Sequence, residues 1–280
     1  ERIGSTLGAM WQRKQWLDAL ADRPAPTEIE GSDVESARMV IEAGLDVCRQ
    51  RAESGLPGSD WLPLDQLEAL LSAYRIRAPR SGLAPNLEQA LPLAETVGYP
   101  VALKLASSGV THKTDVGGVV LDVESPEELR DTFEGMMARL KDQAPDLTVI
   151  DGVYVQQMVP SGAELIVGVV RDPQFGPLVM VGKGGTQVEL TRQVTFELAP
   201  LSRRQAGRML DRTSSGALLA GYRGAPPADR EAVVETIMRL AQIALDWPEV
   251  AEIEINPLIV MQEGEGVYAV DARVRLAVGD

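Results

Sequence analysis

The chain has 280 residues, 45% hydrophobic and 24% charged, with a formal net charge of −14, which suffices for one large domain or two lobes with a real core. Such acidity lacks the electrostatic footprint of a nucleic-acid binder, although a few local lysines, backbone amides and a divalent cation can still hold a polyphosphate. No apolar run approaches the roughly 20 residues of a membrane-spanning helix. No signal peptide is evident at Glu1-Arg2-Ile3, a start without Met that reads as a processed or partial chain. Cys48 is the single cysteine; with no pairing or metal spacing around it, the expected compartment is reducing and cytoplasmic.

In chain order, residues 1–57 read as a helical linker. An amphipathic pattern over 10–21 ends at Pro24 and Pro26. Ser32, with Glu35 three residues on, forms a capping box that opens a helix to about residue 52. Leu64, Leu67, Leu70 and Leu71 mark a helix over 63–73, and another is expected over 86–97. Strands are expected over 99–106 and 118–123. Pro126, with Glu127 and Glu128 at the positive dipole end, starts a helix to about residue 141. Apolar, β-branched runs predict strands over 149–158, 164–170 and 177–181. Helices over 202–211 and 228–245 follow, then strands over 250–255, 258–261 and 267–270. Strands and helices mixed without strict βαβ alternation predict an α+β fold of two lobes, 58–150 and 151–280.

Lys104 lies inside the apolar strand segment Tyr99-Pro100-Val101-Ala102-Leu103-Lys104. A lysine is rarely buried unless paired, so it either faces solvent from an edge or points at a negative ligand. The next segment, from Ser107 to Val119, contains His112, Lys113, Asp115, Gly117 and Gly118. Successive glycines let backbone amides converge on one anion, so Lys104 and this loop together form a candidate polyphosphate site. The spacing is not that of a Walker loop. His112 is the only histidine, and neutral imidazole can accept a phosphoryl group.

Near the C-terminus, alternation puts Glu252, Glu254 and Asn256 on one strand face, with Asp271 following. These oxygens suit Mg²⁺, which takes one or two protein ligands alongside waters and phosphates; they equally describe a solvated acidic edge. The run Gln156-Gln157-Met158-Val159, with Glu164 beyond it, breaks out of a strand. It reads as a hinge or as a backbone edge for an adenine. Asp172 to Pro177 reads as a hairpin turn, and Gly182-Lys183-Gly184-Gly185 as a flexible loop able to touch phosphate.

Taken in order, YPVALKL, HKTDVGGV, VQQMVPSGAEL, RDPQFGPLVMVGKGG, GYRG, EIEINPL and VDARVRL resemble the ATP-grasp subunit of nucleoside-diphosphate-forming acyl-CoA synthetases, from about Trp61 to Leu276. The more distant β subunit of succinyl-CoA synthetase is similar at fewer of these motifs. The resemblance implies a two-lobed ATP-grasp fold that binds ATP or ADP with Mg²⁺ and turns acyl-CoA, ADP and phosphate into acid, CoA and ATP through a phosphohistidine. It implies that Lys104 contacts the nucleotide phosphates, that Gly117 and Gly118 belong to the loop covering them, and that Gln156, Gln157, Met158 and Val159 hold the adenine. Glu164 would face the ribose, and Asn256 and Asp271 would bind Mg²⁺. Glu254 would steady an incoming phosphohistidine, and His112 matches a histidine proposed to relay the phosphoryl group. The main phosphohistidine belongs to a CoA-binding partner domain that also binds the acyl acid; nothing in this sequence resembles that domain. Arg75 stands where the family usually has Gly, and Gln193 where it usually has Asp. An alternative is a ligand-sensing regulatory module of a protein acetyltransferase. Neither reading involves nucleic acid or membrane.

Overall fold

The computed structural model describes residues 31–56, 58–106, 118–143, 151–185, 194–221 and 226–278. The helix expected over 10–21, together with His112, Lys113, Asp115, Gly117 and Gln193, lies outside the described residues. Two compact units divide the chain, one formed by Ala78–Pro160 and the other by the residues before and after that segment.

The larger unit is built on helices α1 (Val34–Glu53), α2 (Leu64–Ala73), α5 (Arg203–Asp211), α6 (Ser214–Leu219) and α7 (Arg230–Asp246). Its strands are β1 (Ser59–Trp61), β6 (Ala163–Asp172), β7 (Gly176–Lys183), β8 (Val194–Leu198), β9 (Val250–Val260), β10 (Val267–Ala269) and β11 (Ala272–Ala277). They form a seven-stranded sheet in the order β1-β11-β9-β6-β7-β8, with β10 also on β9, and every pairing is antiparallel. Alternation sends Val167, Val169, Val179, Val181, Ile253, Ile255, Val274 and Leu276 into one buried core with Ile41, Leu70, Val233, Ile237 and Leu240 from the helices. Each such side chain contributes about 1.5–3 kcal/mol on full burial.

The smaller unit contains β2 (Ser81–Ala84), α3 (Leu87–Val97), β3 (Val101–Ala106), β4 (Val119–Val123), α4 (Pro126–Gln143) and β5 (Gly152–Gln157). Its four strands run β2-β5-β3-β4. Val101, Leu103 and Leu105 pack with Val153, Val155, Ala90, Ala94 and Leu129 in a separate core. Asn86 caps α3, its Oδ1 accepting from Gln89 N at 3.0 Å.

Several expectations are corrected. The segment before residue 58 is not only a linker, because α1 buries Ala37, Ile41, Leu45 and Cys48 at helical spacing in the larger core. Its cap is Asp33 rather than Ser32, with Oδ1 accepting from Ser36 N at 3.1 Å. The lobe limits expected at 58–150 and 151–280 move to Ala78–Pro160 and the remainder. The shift follows from pairing: β1 joins β11, while β5 joins β2 and β3. The strands expected over 250–255 and 258–261 are one, since β9 is paired on both sides and a register shift between Leu165 and Val167 absorbs the proline. The short β1, β2 and α6 were not expected, nor were β8 and β11. Among the described residues no helix is long and apolar enough to cross a membrane.

Helix α2 ends in a left-handed cap at Arg75, φ 54°. Ile76 N donates to Leu71 O at 2.8 Å and Arg75 N to Ser72 O at 2.9 Å, the paired bonds of a Schellman turn. Glycine adopts that conformation more readily than arginine. Beside it the buried Tyr74 donates its hydroxyl proton to Asp246 Oδ2 at 2.6 Å and accepts from Trp247 Nε1 at 2.9 Å, tying α2 to the end of α7. Burial, then the bond to Asp246 and that carboxylate's charge, push the phenol well above its ordinary value of 10.0. A pKa raised by folding favours the native state fully below the unfolded value, and that benefit is lost as the pH rises through the folded one. Tyr74→Phe is therefore expected to destabilise the chain by about 1–3 kcal/mol at pH 7, through the lost charged hydrogen bond and the orphaned indole N–H. In urea titrations across pH, the gap between wild type and variant should narrow above pH 10; a gap that stays constant there would refute the assignment.

Candidate functional site

In the smaller unit β3 is central, flanked by β5 and β4, so Lys104 does not sit on an edge strand. It registers with Tyr154 on β5 and Val119 on β4. Because Val101, Leu103 and Leu105 face the core, Lys104 shares the opposite face with Ala102, Tyr154 and Gln156. Lys104 is half-buried and Gln156 is 2% exposed. An edge position for Lys104 is thereby ruled out: its strand is paired on both sides. Gly118 O accepts from Leu105 N at 2.7 Å, so Gly118 is bonded to β3; His112 and Gly117 lie outside the described residues.

The edge offered by residues 156–159 is narrower than the sequence suggested. Gln157 N donates to Arg80 O at 2.8 Å and Met158 N to Pro100 O at 3.3 Å, so neither amide is open to a base. Arg80 also donates from Nε to Gln157 Oε1 at 3.4 Å and from Nη2 to Val97 O at 3.0 Å, fixing the segment where it leaves β5. Val159 is half-buried.

In the larger unit Glu164, Gly184, Gly185, Asn256 and Asp271 come together. Asn256 N donates to Asp271 O at 2.7 Å, and Gly184 N to Glu164 O at 2.9 Å. Gly185 N donates to Asn256 Oδ1 at 3.4 Å. The glycine pair is not a loose loop. A Cβ on Gly184 would stand 2.5 Å from the Leu165 backbone. One on Gly185, at φ +85°, would stand 2.6 Å from Glu164 Oε2. Glycine suits this close approach, which brings the Gly185 amide to the Asn256 side chain while the Gly184 amide is taken by Glu164 O. The glycine pair after an apolar strand is the available signal; the sequence reads it as a flexible loop able to touch phosphate, and the packing corrects the flexibility.

Glu254 and Glu252 share the face of Asn256, as alternation requires, and both are engaged by arginines. Glu254 Oε2 lies 2.9 Å from Arg273 Nη2, and Glu252 Oε2 lies 3.4 Å from Arg275 Nη2. The acidic run is thus neither a bare solvated edge nor an all-protein metal cage: among the described residues no group of three or more His, Cys, Asp or Glu is gathered to hold an ion. The carboxamide of Asn256 on β9 and the exposed carboxylate of Asp271, just before β11, fit instead the sparse hard-oxygen set with which Mg²⁺ joins a polyphosphate.

Comparison with known proteins follows the same pattern. The sequence model of the ATP-grasp domain matches residues 56–276. The ADP-forming acetate–CoA ligase I of Archaeoglobus fulgidus is 38% identical over 272 residues, covering 97% of this chain and 36% of that protein. The β subunit of the ADP-forming acetate–CoA ligase I of Pyrococcus furiosus is 39% identical over 216 residues, covering 76% of this chain and 92% of the subunit. A solved structure of the dinucleotide-forming acetyl-coenzyme A synthetase 1 of Ca. Korarchaeum cryptofilum superposes with a TM-score of 0.68 at 36% identity, over 83% of this chain and 99% of that one. That structure holds coenzyme A and Mg-AMPPCP, with a phosphohistidine segment pointing towards the nucleotide binding site. The chain spans about a third of the length of the Archaeoglobus ligase and nearly all of the separate Pyrococcus β subunit. With its family match and these relatives, the chain belongs to the ATP-grasp family, in the branch of the β subunits of ADP-forming acetate–CoA ligases.

Proposed function

We infer that this chain is the nucleotide-binding, phosphoryl-transferring part of an ADP-forming acid–CoA ligase, which turns acyl-CoA, ADP and phosphate into acid, CoA and ATP. The observation that carries the reading is Lys104, half-buried on the non-core face of a central strand, where a fixed cation serves a polyphosphate. The close-packed Gly184–Gly185 pair, with the Gly185 amide on Asn256, supports it. In this reading Lys104 and the loop bearing Gly117 and Gly118 hold the phosphates. The carbonyls and side chains of Gln156, Gln157, Met158 and Val159 line the adenine, and Glu164 faces the ribose. Asn256 and Asp271 hold Mg²⁺, which when bound neutralises phosphate charge. Glu254 receives the ring of a phosphohistidine carried by a CoA-binding partner domain, and His112 relays the phosphoryl group. The three relatives described above are ligases or ligase subunits, which does not favour a regulatory module.

Titration calorimetry with Mg-ADP, Mg-ATP and Mg-GTP tests this directly. Wild-type chain should bind at least one of them, and Lys104→Ala should weaken binding about 10- to 100-fold, the worth of a charge-assisted contact. No heat with any nucleotide at millimolar concentration would overturn the reading. Asn256→Ala and Asp271→Ala should each lose about tenfold in affinity when Mg²⁺ is present and little when it is chelated; equal losses would make them structural. Gly184→Ala is expected to destabilise the fold by about 1–3 kcal/mol and to weaken nucleotide binding along with it, measured by urea unfolding and calorimetry on the same preparation.

A further inference from the structure

The face of the seven-stranded sheet turned away from its helices carries a short ladder of charge. Register sets Arg273 beside Glu254, Arg275 beside Glu252 and Trp61 beside Arg275, so all five side chains share one face. Arg273 Nη2 lies 2.9 Å from Glu254 Oε2 and 3.8 Å from Glu252 Oε1. Its guanidinium carbon is 5.0 Å from the centroid of the Trp61 ring. Arg275 reaches Glu252 at 3.4 Å and lies 5.9 Å from the same ring. Glu252 therefore has two guanidinium neighbours, whereas the ion pairs of Glu254 run to Arg273.

Stability alone does not explain this arrangement. The side chains of Arg273 and Glu254 are 42% and 25% exposed, and ion pairs this open to water contribute little. The Arg273 guanidinium is held through its Nη2 bond to Glu254 and its place over the Trp61 ring. A use for this contact lies in the chemistry of Glu254. A carboxylate that is to take an imidazole N–H must be held in one orientation, and its charge repels the phosphoryl group that the ring carries. One neighbouring guanidinium meets both needs, and its flat fork stacks on an indole where a lysine ammonium would not.

We propose that Arg273, braced on Trp61, is the positioning residue for Glu254. It engages Oε2, so that the ring N–H of the phosphohistidine is taken by Oε1, and its charge offsets the repulsion between the carboxylate and the phosphoryl group. This deepens the reading of Glu254 given above and rests on it.

The test uses the full chain with Mg-ADP and N-phosphoimidazole as a stand-in phosphoryl donor. The P–N bond breaks, a P–O bond forms to a terminal oxygen of ADP, and imidazole leaves as its nitrogen takes a proton; ATP is the product measured. Glu254→Gln and Arg273→Met should each lower kcat about 100-fold with KM for Mg-ADP within about twofold. The double variant should be no slower than the slower single one, because the two act as one unit. Arg273→Lys should recover about tenfold over Arg273→Met, and Trp61→Leu should lose about tenfold from wild type. If Arg273→Met does not fold, Arg273→Lys and Trp61→Leu carry the same comparison against Glu254→Gln. Wild-type chain that binds Mg-ADP but makes no ATP defeats the reading of Glu254, and this inference with it. ATP formation slowed by Glu254→Gln, with the arginine variants within about threefold of wild type, defeats the inference alone. So does a double variant whose losses multiply, or a rise in KM that matches the fall in kcat.

Discussion

The larger unit depends on β9, and on the period-2 alternation that gives this strand two incompatible faces. Ile253 and Ile255 are 1% and 0% exposed in the core, while Glu252, Glu254 and Asn256 alternate with them on the other side. A slip of one residue would bury two carboxylates and expose the isoleucines, which no compensation nearby could absorb. Pairing with β6 on one side and with β11 and β10 on the other locks that register. Everything chemical in this unit is placed relative to it: Asp271 through the Asn256 amide, Gly185 through the Asn256 side chain, and Arg273 through its rung beside Glu254.

The smaller unit repeats the logic on a four-stranded sheet. Apolar alternation on β3 and β5 commits one face to α3 and α4, which leaves Lys104, Tyr154 and Gln156 no other side to occupy. Lys104 is thus positioned by the burial of Leu103 and Leu105, both 0% exposed. A charged side chain held by its neighbours' burial is a fixed charge, and fixed charges stabilise a phosphoryl-transfer site more than mobile ones do. The proposed roles thus fall into two sets: phosphate and base contacts in the smaller unit, ribose, metal and phosphohistidine contacts in the larger.

Close packing of backbone is the second device. At Gly184 the chain lies against the Leu165 backbone so tightly that a single methyl group would collide, and at Gly185 the φ of +85° disfavours any side chain. Elsewhere the molecule tolerates the opposite choice: Arg75 takes a left-handed conformation at the end of α2 where glycine would be easier, with its guanidinium bonded to Gly31 O at 2.8 Å. The first position permits no side chain, whereas the second permits one at modest conformational cost.

The sequence by itself determined most of the regular elements, because apolar periodicity over α1, α2, α3, α7, β3, β6 and β9 is a local property that burial later enforces. It also determined the face shared by Glu252, Glu254 and Asn256, since alternation along one strand needs no knowledge of its neighbours. Together with the ordered motifs around Lys104, Gly118 and Asn256, it pointed to the family. Tertiary structure alone decided what depends on partners distant in the chain. That α1 joins a core depends on the sheet it meets, and that Lys104 lies on an inner strand depends on β4 and β5. The amides of Gln157 and Met158 are taken by Arg80 and Pro100, which sequence proximity does not disclose. The short strands β1 and β2 carry too few residues to show a period, and they exist because β11 and β5 offer them edges. The bracing of Arg273 on Trp61 joins residues more than two hundred positions apart; only the pairing of β1 with β11 brings them together.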